Sequence, residues 1–234
     1  MLSSQEPEYV NERKFSGPAP ALPLVMAIVE AACAPDAEFP EGVVNSIYFD
    51  TPNFSSYQEK ANGDNLKTKV RLRWYGIDSS LPAAVPAFLE IKGRIGAARD
   101  KARVKLSVPR ALVADTPLES PAFQDFILAQ LPALQVPTPL SWRPVCRIAY
   151  SRRRYWDAPS ASRVSIDWDI RADRINRTLF ASAAPVRLDT MVCEFKNRFG
   201  APPRWAGAVR AAGLDYGSFS KYGTCMARLL QGDN

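Results

Sequence analysis

Histidine is absent from all 234 residues. That absence excludes Ser-His-Asp and Cys-His nucleophilic pairs, HExxH zinc sites and any imidazole general base. Chemistry in this chain has to run on carboxylates, lysine, arginine, tyrosine or a hard metal ion. Cysteine is scarce: Cys33, Cys146, Cys193 and Cys225 are widely spaced and form no CxxC. A disulfide framework or a zinc ribbon is therefore disfavoured, and the four read as small buried residues in a reducing compartment. No GxxxxGK[ST] or GxGxxG occurs, which leaves P-loop and Rossmann nucleotide binding unsupported. Long hydrophobic runs are also missing. The longest, Ala19 to Pro35, is broken by Pro20, Pro23 and Glu30 and is too short to span a bilayer. The first twenty residues are polar and acidic, unlike a signal peptide, so a cytoplasmic location is expected.

The length suits a single domain over residues 1–234, with a core of about 12–230, and an apolar content of 47% excludes disorder. Net charge is +6, unevenly spread: Lys67 to Lys105 holds ten basic residues against three acidic ones. That stretch alone exceeds the surplus of the whole chain. Phosphorylated partners therefore lead: nucleotides, polyphosphates, RNA or an anionic membrane.

Hydrophobic periodicity and breakers predict strands over Val43–Phe49, Thr68–Tyr75, Ala87–Arg94, Arg103–Pro109, Val145–Tyr155, Arg163–Ile170 and Met191–Arg198. Helices are predicted over Leu22–Ala34, Pro121–Leu131, Pro202–Ala212 and from Ser218 to about Gln231. Pro202 and Pro203 would open the third and Gly213 would close it. Asp50-Thr51-Pro52 would cap a further short helix. The class is α+β, mainly antiparallel β, with helices attached.

Every second residue of a strand shares a face. Lys67, Lys69, Arg71 and Arg73 thus oppose Val70, Leu72 and Trp74; Glu90, Lys92 and Arg94 oppose Leu89 and Ile91. Lys101, Arg103 and Lys105 alternate with Ala102, Val104 and Leu106. Arg163, Ser165, Asp167 and Asp169 alternate with Val164, Ile166, Trp168 and Ile170, and Glu194, Lys196 and Arg198 with Cys193, Phe195 and Asn197. One such strand is an ordinary half-solvated one. Five together are harder to explain this way, because like charges at neighbouring same-face positions repel unless an anion lies between them. A closed barrel with charged faces inward and helices over its apolar outside resolves the conflict. Carboxylates in such a lining are costly beside a polyanion unless they hold a cation. Glu12, Glu90, Asp167, Asp169 and Glu194 are then candidate oxygen ligands for Mg²⁺ or Mn²⁺.

Several motifs in order resemble the VTC domain (vacuolar transporter chaperone), a branch of the triphosphate tunnel metalloenzymes related to the CYTH proteins. They are Glu12-Arg13-Lys14-Phe15, Ser46-Ile47-Tyr48-Phe49-Asp50-Thr51, Lys69-Val70-Arg71-Leu72-Arg73-Trp74-Tyr75 and Leu89-Glu90-Ile91-Lys92-Gly93-Arg94. Tyr150-Ser151-Arg152, Arg163-Val164-Ser165-Ile166-Asp167, Cys193-Glu194-Phe195-Lys196 and Ser220-Lys221-Tyr222 complete the series. The resemblance implies a closed eight-stranded antiparallel β-barrel tunnel with a basic lumen, in which ATP donates its γ-phosphate to inorganic polyphosphate with Mn²⁺ or Mg²⁺. It implies that Arg71, Arg73, Lys92, Arg152, Arg163 and Glu194 act at the transferred phosphoryl group. Lys14, Lys69, Lys101, Arg103, Lys196 and Lys221 would grip other phosphates. Glu194 would be the principal metal ligand, with Glu12 and Glu90 as weaker candidates. Tyr48 and Tyr150 serve packing as readily as binding, and of Arg152, Arg153 and Arg154 alternation pairs the first with the third. Eukaryotic relatives carry membrane segments and an SPX domain; without them, translocation would need a separate membrane partner.

Three readings follow: a polyphosphate polymerase, a triphosphatase or tripolyphosphatase on the same scaffold, and a polyphosphate or nucleotide sensor without chemistry. Nucleic acid is disfavoured, because Trp74, Trp168 and Phe195 lie opposite the charges and offer bases no stacking platform.

Overall fold

The computed structural model describes residues 11–61, 66–95, 98–134 and 141–232, and side chains over 11–59, 69–93, 102–132 and 141–232. The strands are β1 (Asn11–Pro18), β2 (Ala34–Pro35), β3 (Glu41–Asp50), β4 (Leu66–Tyr75), β5 (Ala84–Ile95), β6 (Ala98–Pro109), β7 (Arg143–Asp157), β8 (Ser162–Ile175), β9 (Val186–Arg187), β10 (Thr190–Asn197) and β11 (Asp215–Tyr216). The α-helices are α1 (Leu22–Glu30), α2 (Ser55–Ala61), α3 (Arg110–Ala114), α4 (Pro121–Gln130), α5 (Ala206–Ala211) and α6 (Lys221–Gly232). Mainly antiparallel β with attached helices is the class that was expected. Every long strand foreseen is present, all extended by a few residues except β10, which is shifted by one; β1, the two-residue strands β2, β9 and β11, and α3 are additional.

The hydrogen-bonded strand order is β11-β1-β10-β8-β7-β3-β4-β5-β6, with β2 on β7 and β9 on β8. Its two ends, β11 and β6, do not pair with each other among the described residues. The closed eight-stranded barrel is thus not what forms: eleven strands follow an open order. Closure had been inferred from like-charge repulsion, and the structure relieves that repulsion differently, by setting carboxylates opposite the cations. The expected helices are also shorter than foreseen, α4 and α6 by one to three residues at an end and α1 and α5 by more. α1 stops at Glu30 because Ala34, held extended before Pro35, pairs with Trp156 of β7. α5 begins only at Ala206, since Pro203 disfavours a helical Pro202; the Pro203 carbonyl instead accepts the Ala206 N–H at 3.0 Å. Gly213 closes it with φ +92°, a left-handed conformation that glycine adopts without strain.

The chain divides into two compact units. The first comprises Met1–Gly42, Tyr150–Ile170 and Leu188–Phe219; the second comprises Val43–Ala149, Arg171–Arg187 and Ser220–Asn234. In the first unit, Phe15, Val164, Ile166, Cys193 and Phe195 come from one face of β1, β8 and β10. They pack with Val25 and Val29 of α1 and with Ala206 and Val209 of α5. In the second, Ile47, Phe49, Val70, Leu72, Trp74, Leu89 and Ile91 of β3, β4 and β5 pack against Leu112 and Val113 of α3 and Phe123 and Ile127 of α4. Helices therefore cover the apolar strand face in each unit, as the alternation requires. All four cysteines are buried and unpaired. Among the described residues, no helix is long and apolar enough to cross a membrane.

Leu72 is fully buried in the core of the second unit, whereas Lys105 on the other face is exposed. Leu72→Ala should cost about 2–5 kcal/mol through lost burial and the cavity left behind. Lys105→Ala should stay within about 0.5 kcal/mol. Urea denaturation of both variants checks the pair.

Candidate functional site

The charged residues singled out from the sequence fall into two clusters, one in each unit. In the first unit, register places Lys14 of β1 opposite Glu194 of β10, and Glu194 opposite Ser165 of β8. One step along, Glu12 faces Lys196, and Lys196 faces Arg163. Lys196 Nζ lies 2.8 Å from Glu194 Oε1 and 3.2 Å from Glu12 Oε2. Lys14 Nζ pairs with Glu12 and stands 3.6 Å from Glu194 Oε2. Two lysines and two carboxylates thus alternate across two strands. Glu194 is buried and Arg163 is exposed.

Burial alone would raise the Glu194 carboxyl, but Lys196, Lys14 and Arg152 outweigh it and hold the group well below the usual range. Glu12 is pulled the same way by Lys196 and Lys14, against burial and Glu194. For Lys196, burial works against the charge, yet Glu194 and Glu12 win and raise its pKa. Glu194, Glu12 and Lys196 therefore stay ionised at neutral pH.

The three consecutive arginines of β7 are separated by the pleat. Arg152 binds Asp167 through Nε at 2.6 Å and Nη2 at 2.8 Å, and its guanidinium carbon lies 5.4 Å from the centroid of the Tyr150 ring. Arg153 takes the opposite side and reaches Glu30 of α1 and Glu41, each at 2.8 Å. Arg154 donates to the Phe39 carbonyl at 3.1 Å. The alternation does not extend to Asp169, whose backbone is left-handed at φ 51° within β8. An extended strand cannot hold that angle, so counting by twos stops there.

The second cluster lies on β3 to β6. Arg71 faces Tyr48 on one side and Glu90 on the other; Glu90 in turn faces Arg103. Arg71 donates through Nε to Glu90 at 2.6 Å and through Nη1 to the Tyr48 hydroxyl at 3.4 Å. Arg103 Nε is 3.4 Å from the other Glu90 oxygen, with its guanidinium carbon 3.7 Å above the centre of Phe88. Arg73 Nε donates to Ser46 Oγ at 3.2 Å, and Lys69 Nζ donates to Ser220 Oγ at 3.3 Å, just before α6 and its first residue Lys221. Lys92 is exposed opposite Lys101, whose side chain lies outside the described residues.

Sequence reasoning left Tyr48 undecided; it stacks on Tyr222 at 4.9 Å as well as meeting Arg71, so it does both jobs. Tyr222 donates to Asp50 at 2.8 Å, and that buried carboxylate also accepts the Ser56 and Tyr57 N–H groups that begin α2. The helix cap read from Asp50 is thus present, while its tie to Tyr222 was not foreseen. Cross-strand register was the missing signal: it alone pairs Arg71 with Glu90.

Among the described residues, no group of three or more Cys, Asp or Glu side chains could hold a metal by itself. Glu194, with Glu12 beside it, is a donor set of another kind. One or two carboxylates completed by substrate phosphates is how Mg²⁺ and chemically similar ions are commonly bound. The residues of the first cluster fit such a shared ion and do not fit a protein cage.

The model of the VTC domain family matches residues 35–230. Among curated proteins none matches. Among solved structures, the chain is similar to a candidate adenylate cyclase of Bacillus halodurans, at 13% identity and TM-score 0.45, covering 95% of this chain and 88% of that one. A second candidate adenylate cyclase, of Vibrio parahaemolyticus, is similar at 10% identity and TM-score 0.48, covering 92% and 97%. At this level neither likeness bears on what the chain does.

Burial raises Glu90, but Arg71, Arg73 and Lys92 outweigh it and hold its pKa at about 2 against an ordinary 4.5. A carboxyl depressed on folding contributes stability that is full above about 4.5 and lost as pH falls toward 2. Glu90→Gln should flatten that acid limb. At neutral pH it should cost about 1–3 kcal/mol, because the half-buried Arg71 loses its carboxylate partner and keeps only its other contacts. Denaturation midpoints followed from pH 7 to pH 2 check both effects.

Proposed function

The chain belongs to the VTC domain family, and from that premise we propose that it is a metal-dependent polyphosphate polymerase. ATP would give its γ-phosphoryl group to the end of an inorganic polyphosphate chain. The observation that carries this reading is the buried Glu194 held among Lys14, Lys196 and Arg152. In a site built only to hold an anion, a carboxylate relieves repulsion among the cations but competes with the ligand for them. A site for a phosphate chain with its counter-ion needs both signs.

Each residue then has a part that its chemistry suits. Arg71, Arg73, Arg152 and Arg163 offer planar donor forks to phosphate oxygens, and Lys14, Lys69, Lys92, Lys196 and Lys221 offer point charges. Lys101 and Arg103 join this set from β6. Glu194 and Glu12 would hold Mn²⁺ or Mg²⁺, which supplies charge neutralisation across phosphate oxygens when bound. As phosphate oxygens approach, Lys14 and Lys196 would exchange their carboxylate partners for them, which would free Glu12 and Glu194 to act as oxygen donors. The nucleophile is a terminal oxygen of the polyphosphate chain. It is already ionised at neutral pH, so its bond to the γ-phosphorus forms, and the bond to ADP breaks, without a general base. The missing histidine is not needed.

Incubation of the full chain with ATP and Mn²⁺ or Mg²⁺ should yield phosphate polymers long enough to resolve on a gel. Free phosphate without polymer would move the assignment to a triphosphatase, and neither product with either metal would overturn it. Glu194→Gln should abolish turnover by at least about a hundredfold, the usual scale for a lost electrostatic group at a reacting centre. Calorimetry on the same variant should still detect tripolyphosphate binding. If turnover survives, Glu194 has no part in the reaction.

A further inference from the structure

Asp167 is fully buried in β8, opposite Val192 of β10. Read by alternation alone, it joins the carboxylates that could bind a cation. Its geometry assigns it other work. Both carboxylate oxygens meet one guanidinium, Oδ1 accepting from Arg152 Nε at 2.6 Å and Oδ2 from Nη2 at 2.8 Å. Two parallel hydrogen bonds fix the plane and roll of a guanidinium as no single contact can. They also spend only one edge of it: Arg152 Nη1 makes no hydrogen bond among the described residues. Tyr150 flanks the same guanidinium, and Glu194 of β10 acts on it across β8.

An unheld arginine has many rotamers, and a phosphate that binds it must freeze them. A preset arginine has met that cost at folding. The arrangement is not needed to fill space, because an apolar pair of equal volume would serve the interior as well. What an apolar pair would not do is aim a charged fork.

We propose that Asp167 is a positioning residue that holds Arg152 with its Nη1 edge presented to a phosphate oxygen, and that it is not a metal ligand. This rests on the phosphate-binding reading of the first unit. The chemistry of the ligand is that of a phosphate chain, and tripolyphosphate is the probe.

Metal-free calorimetry of the full chain with tripolyphosphate tests it, using Asp167→Asn, Arg152→Gln and the double variant. Asp167→Asn should weaken binding about tenfold, the scale of a charge-assisted hydrogen bond lost through misaim. Arg152→Gln should weaken it at least as much, and the double variant no further than Arg152→Gln alone. A residue that merely supports the fold would give losses that add. Mn²⁺ binding in the presence of tripolyphosphate, followed by the electron paramagnetic resonance of the ion, should be unchanged by Asp167→Asn once phosphate is saturating. If Asp167→Asn does not fold, Asp167→Glu keeps the charge and displaces the fork, and should weaken binding only where Arg152 is present. Unchanged binding, additive losses, or Mn²⁺ affinity lost with phosphate affinity kept would each overturn the proposal. A wild-type chain that binds no tripolyphosphate would overturn the phosphate-binding reading and this proposal with it.

Discussion

A buried carboxylate set opposite a cation is the interaction on which both units depend. Glu90 lies between Arg71 and Arg103, Asp167 holds Arg152, and Glu194 stands between Lys14 and Lys196. Without these partners the strands would bring Lys69, Arg71 and Arg73, or Lys196 and Arg163, into unrelieved repulsion. Isolated ion pairs on a surface contribute little to stability. These are partly withdrawn from water, so each is costly to break and more effective at fixing where a side chain points.

That arrangement only works because the other face of each strand is settled independently. Val70, Leu72 and Trp74, or Ile166, Cys193 and Phe195, fix the pleat by packing under helices. A slip of one residue would bury the cations against α4 or α5 and expose the core residues, so the register of the charged face follows from the apolar one. Cross-strand pairing then decides which cation meets which carboxylate: Arg71 meets Glu90 because Leu72 meets Leu89.

This order of causes explains what the sequence made legible. Alternation is local, so the two faces, the long strands, the cap at Asp50 and the split between Arg152 and Arg153 could all be read along the chain. Register is not local. The Arg71–Glu90 and Arg152–Asp167 pairs join residues 19 and 15 positions apart through backbone ladders that composition does not encode. Closure failed for the same reason: repulsion within one strand was visible, while the carboxylates on neighbouring strands that relieve it were not yet placed. Asp169 marks the other limit, since one left-handed residue ends a count by twos without any glycine to announce it.

Every group at the two clusters whose ionisation is displaced moves away from neutrality. Glu12, Glu90 and Glu194 are held down by lysine and arginine, and Lys196 and Arg152 are held up by carboxylates. A histidine in the same place would do the reverse and make the charge depend on pH near 7. Acid–base catalysis needs a group poised to change its protonation; binding a chain of ionised phosphates needs groups that do not. The permanence of charge is therefore the property these strands would share with the phosphate chain proposed as their ligand. On that proposal, the absence of imidazole is a consequence of the chemistry rather than a gap in it.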